Sequence, residues 1–116
     1  MDKPLEWIRS AQKDLREFPD AVKYDVGHAL REAQQGGKPS SAKPLKGYKG
    51  AGILEIVDDY DTDTYRAVFT IKFKKAVYVL HCFQKKSKKG IETPKKEMTL
   101  INNRLKTAQE HYEKNY

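Results

Sequence analysis

At Gly36-Gly37 the apolar period of the chain changes, and that switch restricts the accessible folds more than any other feature. Before it, Val22, Val26, Ala29, Leu30 and Ala33 recur at helical spacing, and the glycine pair supplies a stop where positive backbone dihedrals cost little. Further upstream, Ser10 is a good N-cap for a separate helix running to about Phe18, with Pro19 and Asp20 interrupting and restarting the chain. The spacing therefore predicts an αα-hairpin, preceded by a short strand at Leu5-Glu6-Trp7-Ile8. The polar, proline-bearing stretch from Lys38 to Pro44 is expected to be a mobile loop.

After the switch the period is that of strands. Leu45 to Tyr48, Gly52 to Asp58, Tyr65 to Lys72 and Ala76 to Phe83 are short, rich in β-branched and aromatic residues, and separated by turn residues. Asp59-Tyr60-Asp61-Thr62-Asp63 is a natural hairpin connection, because Asp can hydrogen-bond its own local backbone. A meander is the simplest arrangement. Ala76-Val77-Tyr78-Val79-Leu80 is apolar on both alternating faces, so this strand is expected to lie centrally. Thr93 and Pro94 suit the N-cap and first position of a last helix, whose apolar stripe is Met98, Ile101 and Leu105. The expected fold class is α+β, with a small antiparallel-rich sheet, an N-terminal αα-hairpin and a C-terminal helix, in one domain spanning 1–116.

Composition bounds the partners. At 116 residues with 38% hydrophobic content the chain suits one modest core, and seven Tyr, four Phe and one Trp argue against disorder. A net charge of +7 and a pI near 9.4 favour an anionic partner. Nucleic acid is favoured over membrane, because no apolar run reaches spanning length. The N-terminus lacks an apolar core of signal-peptide length and Cys82 is the single cysteine, so a cytoplasmic location is expected. The charge is unevenly spread: Lys72 to Lys96 holds nine lysines against Glu92, whereas Glu55 to Asp63 holds five acids and no base.

Strand alternation puts Val77, Val79, His81 and Phe83 on one face and Tyr78, Leu80, Cys82 and Gln84 on the other. His81 and Cys82 then diverge, which argues against a Cys–His nucleophilic pair and leaves Cys82 as a packing residue. One Cys and three scattered His residues make a metal site improbable, and Gly47, Gly50 and Gly52 fit no nucleotide fingerprint, so no metal or small-molecule cofactor is expected. What remains is a basic and aromatic group: Lys46, Lys49, Tyr65, Arg66, His81, Lys85, Lys86 and Lys88, with Lys89 beside them. Cutting an RNA phosphodiester needs the 2′-hydroxyl to attack, one group to take its proton, one to protonate the leaving 5′-oxygen, and cations on the developing charge. Arg, Lys and His supply such roles, and an aromatic ring can stack on a base. The same residues equally allow Arg66 to pair with Glu55 across neighbouring strands and His81 to be a hydrogen-bonded strand residue.

The segment "YRAVFTIKFKKAVYVLHCFQKKSKKGIETPKKE", residues 65–97, resembles the phage-derived HigB-like branch of the RelE/ParE toxin superfamily. The shared pattern is a Tyr-Arg strand, then Leu-His-x-Phe-x-Lys-Lys-Ser and a Thr-Pro helix start. "AKPLKGYKGAGILEI" (42–56) and "KPLEWIRSAQKDLREFP" (3–19) are similar as well, so the likeness covers nearly the whole chain. The resemblance implies a small toxin that cleaves mRNA in the ribosomal A site without a metal. It also implies a cognate antitoxin carrying a helix-turn-helix DNA-binding domain. Arg66 would stabilise charge on the scissile phosphate, Tyr65 would position or stack, Lys85, Lys86 and Lys88 would hold the backbone or supply protons, and Lys89 would bind RNA beside them. His81 is the candidate general base, and Lys46 and Lys49 would add phosphate contacts. Related members of the fold instead poison DNA gyrase, and a non-catalytic RNA-binding domain is a third alternative. One departure stands out: many relatives read Glu-Leu-Arg in the second strand, where this chain reads Glu55-Ile56-Val57.

Overall fold

The computed structural model describes residues 2–48, 52–85 and 94–116. Five strands form one sheet in the order β1-β5-β4-β3-β2, built from β1 (Leu5–Trp7), β2 (Ala42–Pro44), β3 (Ile53–Tyr60), β4 (Asp63–Thr70) and β5 (Val77–Lys85). Strands β2 to β5 are an antiparallel meander, and β1 adds parallel to β5 with Leu5 opposite Val77. Helices α1 (Ala11–Arg16) and α2 (Asp20–Gln34) are the expected αα-hairpin, and α3 (Lys95–Asn115) is the C-terminal helix.

The helices divide between the two faces. Val22, Val26, Ala29, Leu30 and Ala33 of α2 are all buried, and with Leu15 and Phe18 they pack on Leu54, Ile56, Ala67, Phe69, Val77 and Val79. Ile101 and Ala108 of α3 pack on the reverse face against Leu45, Ile53, Val68, Tyr78, Leu80 and Phe83. Each large side chain so buried contributes about 1.5–3 kcal/mol relative to leaving it in water. Met98 and Leu105 flank the stripe of α3, and Tyr112 extends it by stacking on Phe73 at 4.7 Å.

Several local expectations are corrected. Helix α2 ends where Gly36 takes φ +92, as the glycine pair suggested, but Ser10 makes no side-chain cap on α1. Its hydroxyl donates instead to Asp14 Oδ2 at 2.8 Å. The strand expected at Leu45 to Tyr48 is displaced to Ala42–Pro44, inside the stretch expected to be a loop. Pro44 is tolerated there because β2 is an edge strand. The β3–β4 hairpin is tighter than expected: Tyr60 pairs with Asp63, so Asp61 and Thr62 make the turn, with Asp61 at φ +60, a conformation Asp tolerates. Strand β5 lies inside the sheet between β1 and β4, as expected, buried on both faces from Val77 to Phe83. Pro94 has ψ 147 and precedes the first residue of α3 rather than occupying its first turn; Thr93 lies outside the described residues. At the base of the β3–β4 ladder a Cβ on Gly52 would meet the Lys72 backbone nitrogen at 3.1 Å, and Gly52 itself has φ +67.

Candidate functional site

Strand β5 does not alternate as its sequence suggests. Phe69 of β4 opposes Val79 and the preceding Val68 opposes His81, so one extra residue, Leu80, sits on β5 as a bulge. The phase of side chains flips there. Val77 and Val79 face α1 and α2 together with Cys82, whereas Tyr78, Leu80 and Phe83 belong to the α3 side. The expected grouping of His81 with Val77 and Val79 is therefore wrong: His81 stacks on Phe83 at 4.7 Å and reaches α3. His81 and Cys82 still diverge, and burial pushes the Cys82 thiol up to about 12, so it is an inert packing group at neutral pH.

On the α3 side, the flipped phase aligns His81 and Phe83 with Arg66, which opposes Phe83 on β4, and with Lys85 at the strand end. Arg66 is 4% exposed, and its Nη1 donates to Glu55 Oε2 at 3.1 Å. The Lys43 ammonium lies 3.9 Å from the other oxygen of Glu55. A carboxylate so deep is tolerable only because it is paired and hydrogen-bonded. Tyr65 projects to the other face, where its ring meets Phe18 at 4.8 Å, so the sheet separates it from Arg66. Lys46 is exposed on the turn after β2. That turn is fastened to α3, since Leu45 shares a cluster with Ile101 and the Tyr48 hydroxyl donates to Asn102. Lys49, Lys86, Lys88 and Lys89 lie outside the described residues.

A chain of polar contacts runs from His81. Its Nε2 lies 2.8 Å from Glu97 Oε1 in the first turn of α3, and its Nδ1 lies 3.3 Å from Arg104 Nη1. The same Nη1 donates to the carbonyl of Leu80, the bulge residue, at 3.0 Å. Arg104 Nη2 donates to Ser10 Oγ at 3.1 Å, which carries the chain on to Asp14 in α1. Burial holds the His81 pKa below the usual imidazole value; Glu97 opposes that shift, while the positive charge of Arg104 adds to it. Beside this network a cleft of about 340 Å³ is lined by Asp14, Glu17, Phe18, His81, Cys82, Phe83 and Gln84. Among the described residues no group of three or more His, Cys, Asp or Glu is placed to hold a metal ion.

Glu97 and Arg104 are absent from the sequence-derived set. The signal for them was their spacing: Glu97, Ile101, Arg104 and Ala108 follow one helical stripe, so two charges interrupt a face that is otherwise buried.

Comparison with known proteins agrees with this architecture. Residues 13–106 match the family of phage-derived Gp49-like proteins. A doubly substituted variant of the E. coli toxin RelE in the free state is similar over 71% of this chain and 82% of that one, with 20% identity and a TM-score of 0.53. The toxin-antitoxin complex RelBE2 from Mycobacterium tuberculosis is similar over 73% of this chain and 100% of the matched chain, with 20% identity and a TM-score of 0.46. No curated protein matches. The fold is similar to that of RelE, and since the family match spans most of the sequence, the chain belongs to the phage-derived Gp49-like family.

Proposed function

We propose that this protein is the toxin of a type II toxin-antitoxin pair, acting in the cytoplasm as a ribosome-dependent endoribonuclease on mRNA. The observation that carries the reading is the β5 bulge, which brings His81 onto the sheet face that already holds Arg66 and Lys85. The +7 charge of the chain suits a polyanion, and phosphate contacts by lysine and arginine supply sequence-independent affinity. The match to the Gp49-like family and the likeness to RelE support the same conclusion.

In the proposed reaction the 2′-oxygen attacks the adjacent phosphorus, the P–O5′ bond breaks, and the products are a 2′,3′-cyclic phosphate and a 5′-hydroxyl. No metal is needed if a base, an acid and cations are in place. Lys85 protonates the leaving oxygen, and Arg66 supplies charge at the phosphate from its seat on Glu55. Tyr65, turned onto Phe18, supports the strand from behind. Lys46, with Lys49, Lys86, Lys88 and Lys89, holds the RNA backbone. The partner that silences the protein is an antitoxin with a helix-turn-helix domain, whose acidic segment complements this charge.

The test is a cell-free translation reaction in which mRNA 5′ ends are mapped by primer extension, with and without ribosomes. Cuts that need ribosomes and fade about 10²-fold or more in a Lys85→Ala/Lys86→Ala variant are expected, the usual scale for losing a proton donor. Uncut mRNA with folded protein would end the nuclease reading, and inhibition of gyrase supercoiling would then identify a gyrase poison instead.

A further inference from the structure

The contacts of His81 assign the proton-accepting role to a different side chain. Arginine is always a donor and has no acceptor, so the Nδ1 facing Arg104 Nη1 at 3.3 Å must be the unprotonated nitrogen. The ring proton then sits on Nε2 and is donated to Glu97 Oε1 at 2.8 Å. Both nitrogens are committed to the protein, one by each of two residues of α3. The ring is also flat against Phe83, with planes 18° apart, and the His81 side chain is 8% exposed. For His81 to take a proton from a substrate it would have to leave Arg104, which is itself tied to Leu80 and Ser10.

Glu97 is placed differently. Its side chain is 23% exposed, it sits in the first turn of α3, and among the described residues its one hydrogen bond, to His81, engages Oε1. A carboxylate accepts through two oxygens, so Oε2 remains to receive a proton. The charged groups around the imidazole are Glu97 and Arg104 from α3 and Asp14 from α1, and the hydrogen bond goes to the first of these.

We propose that Glu97, held by the Nε2–H of His81, takes the proton from the attacking 2′-hydroxyl, and that His81 and Arg104 are positioning residues. This rests on the nuclease reading above. In the step, the O–H proton passes to Glu97 Oε2 as the 2′-oxygen bonds to phosphorus, and the 5′-oxygen leaves with a proton from the Lys85 ammonium. The carboxylic acid and the neutral amine so formed return to their starting states by proton exchange with water.

The decisive experiment is single-turnover cleavage of mRNA on programmed ribosomes across pH, with the full chain and three variants. Glu97→Gln keeps an oxygen for the His81 N–H, so it should fold as wild type yet cleave about 10²-fold or more slowly at saturation, with an unchanged half-saturating concentration. His81→Gln keeps an amide N–H for Glu97 and should retain most of the rate and the acid limb of the pH profile, whereas His81→Ala should lose about 10-fold or more. Imidazole nitrogen NMR of the wild type should show the Nε2–H tautomer at neutral pH. Equal loss in both His81 variants, disappearance of the acid limb in His81→Gln, a mild Glu97→Gln, or an Nδ1–H tautomer would each overturn the assignment while leaving the nuclease reading intact. A folded wild type that makes no ribosome-dependent cuts would overturn both.

Discussion

Two carboxylates meet cationic or titratable partners on the same face of the sheet, under different constraints. Glu55 and Arg66 stand on neighbouring strands, with side chains 7% and 4% exposed, and the β3–β4 ladder holds them in register. Glu97 and His81 join a helix to a strand, with side chains 23% and 8% exposed, and their contact exists only while α3 is seated. The first pair is built into the sheet and can contribute a fixed field. The second combines a partly open carboxylate with a clamp, the arrangement a proton acceptor requires. Burial suits a charge that must stay put, and partial exposure suits one that must change its protonation state.

Removing one member of the deep pair should have the largest effect. Arg66→Ala leaves the buried Glu55 without its closest described ion-pair partner, the Lys43 ammonium lying farther off at 3.9 Å, and a loss of about 3–5 kcal/mol is expected from urea unfolding. The double variant Glu55→Gln/Arg66→Met should recover most of that loss; a single variant within about 1 kcal/mol of wild type would break the contrast with the outer pair, since exposed pairs contribute no more than that. Activity lost in Arg66→Ala must therefore be read against its folded fraction.

Arg104→Met should cost about 1–3 kcal/mol in the same assay, because it leaves the Leu80 carbonyl without its donor. It should also release the Nδ1 of His81, visible as a mixture of tautomers by imidazole nitrogen NMR. Unchanged stability and tautomer would mean that the bulge does not depend on this arginine.

The pH dependence separates the two sheet faces further. On the α2 side a cleft of about 260 Å³ is lined by Tyr24, Asp25, His28, Ser41, Ile56, Val57 and Asp58. Burial there, with a hydrogen bond and charge from Asp25 and the charge of Asp59, pushes the Asp58 carboxyl up to about 6 from 3.8. A raised pKa means the folded state binds the proton more tightly. This contribution is thus full below pH 3.8 and is lost as pH rises through about 6. Asp58→Asn should flatten that part of the profile. His81 has the opposite sign: its folded pKa lies below 6.5, so its contribution is present above that value and is lost as pH falls through the folded pKa. Urea midpoints of wild type, Asp58→Asn and His81→Gln between pH 4 and 8 should resolve the two slopes; parallel slopes would refute the contrast.

The smallest effect is expected at Thr64, whose hydroxyl donates to Asp59 at 2.7 Å on the exposed hairpin. Thr64→Val should cost within about 1 kcal/mol by thermal melt, as for an ordinary solvent-accessible hydrogen bond.

Much of the architecture is legible in local pattern. The buried set of α2, the short strand at Leu5 and the meander all follow from periods of apolar residues, because a helix or strand must bury one side whatever it packs against. Edge features are harder to read, since β2 carries little apolar pattern and is defined by pairing to β3 alone. The candidate site is least legible. Nothing in Val79-Leu80-His81 announces a bulge, and counting by twos across it sends His81 to the wrong face. Ser10 likewise looks like a helix cap, yet its hydroxyl is engaged by Asp14 and Arg104.

The sequence by itself thus determined the elements, the charge and the residue types available for phosphate chemistry, because these depend on near neighbours and on composition. Only the tertiary structure decided which of them meet. The extra residue at Leu80 turns His81 toward α3, Arg104 donates a hydrogen bond to the Leu80 carbonyl at the bulge, and Glu97 meets the imidazole Nε2. Those three events involve residues distant in sequence, and each is stable only because buried polar groups must find partners.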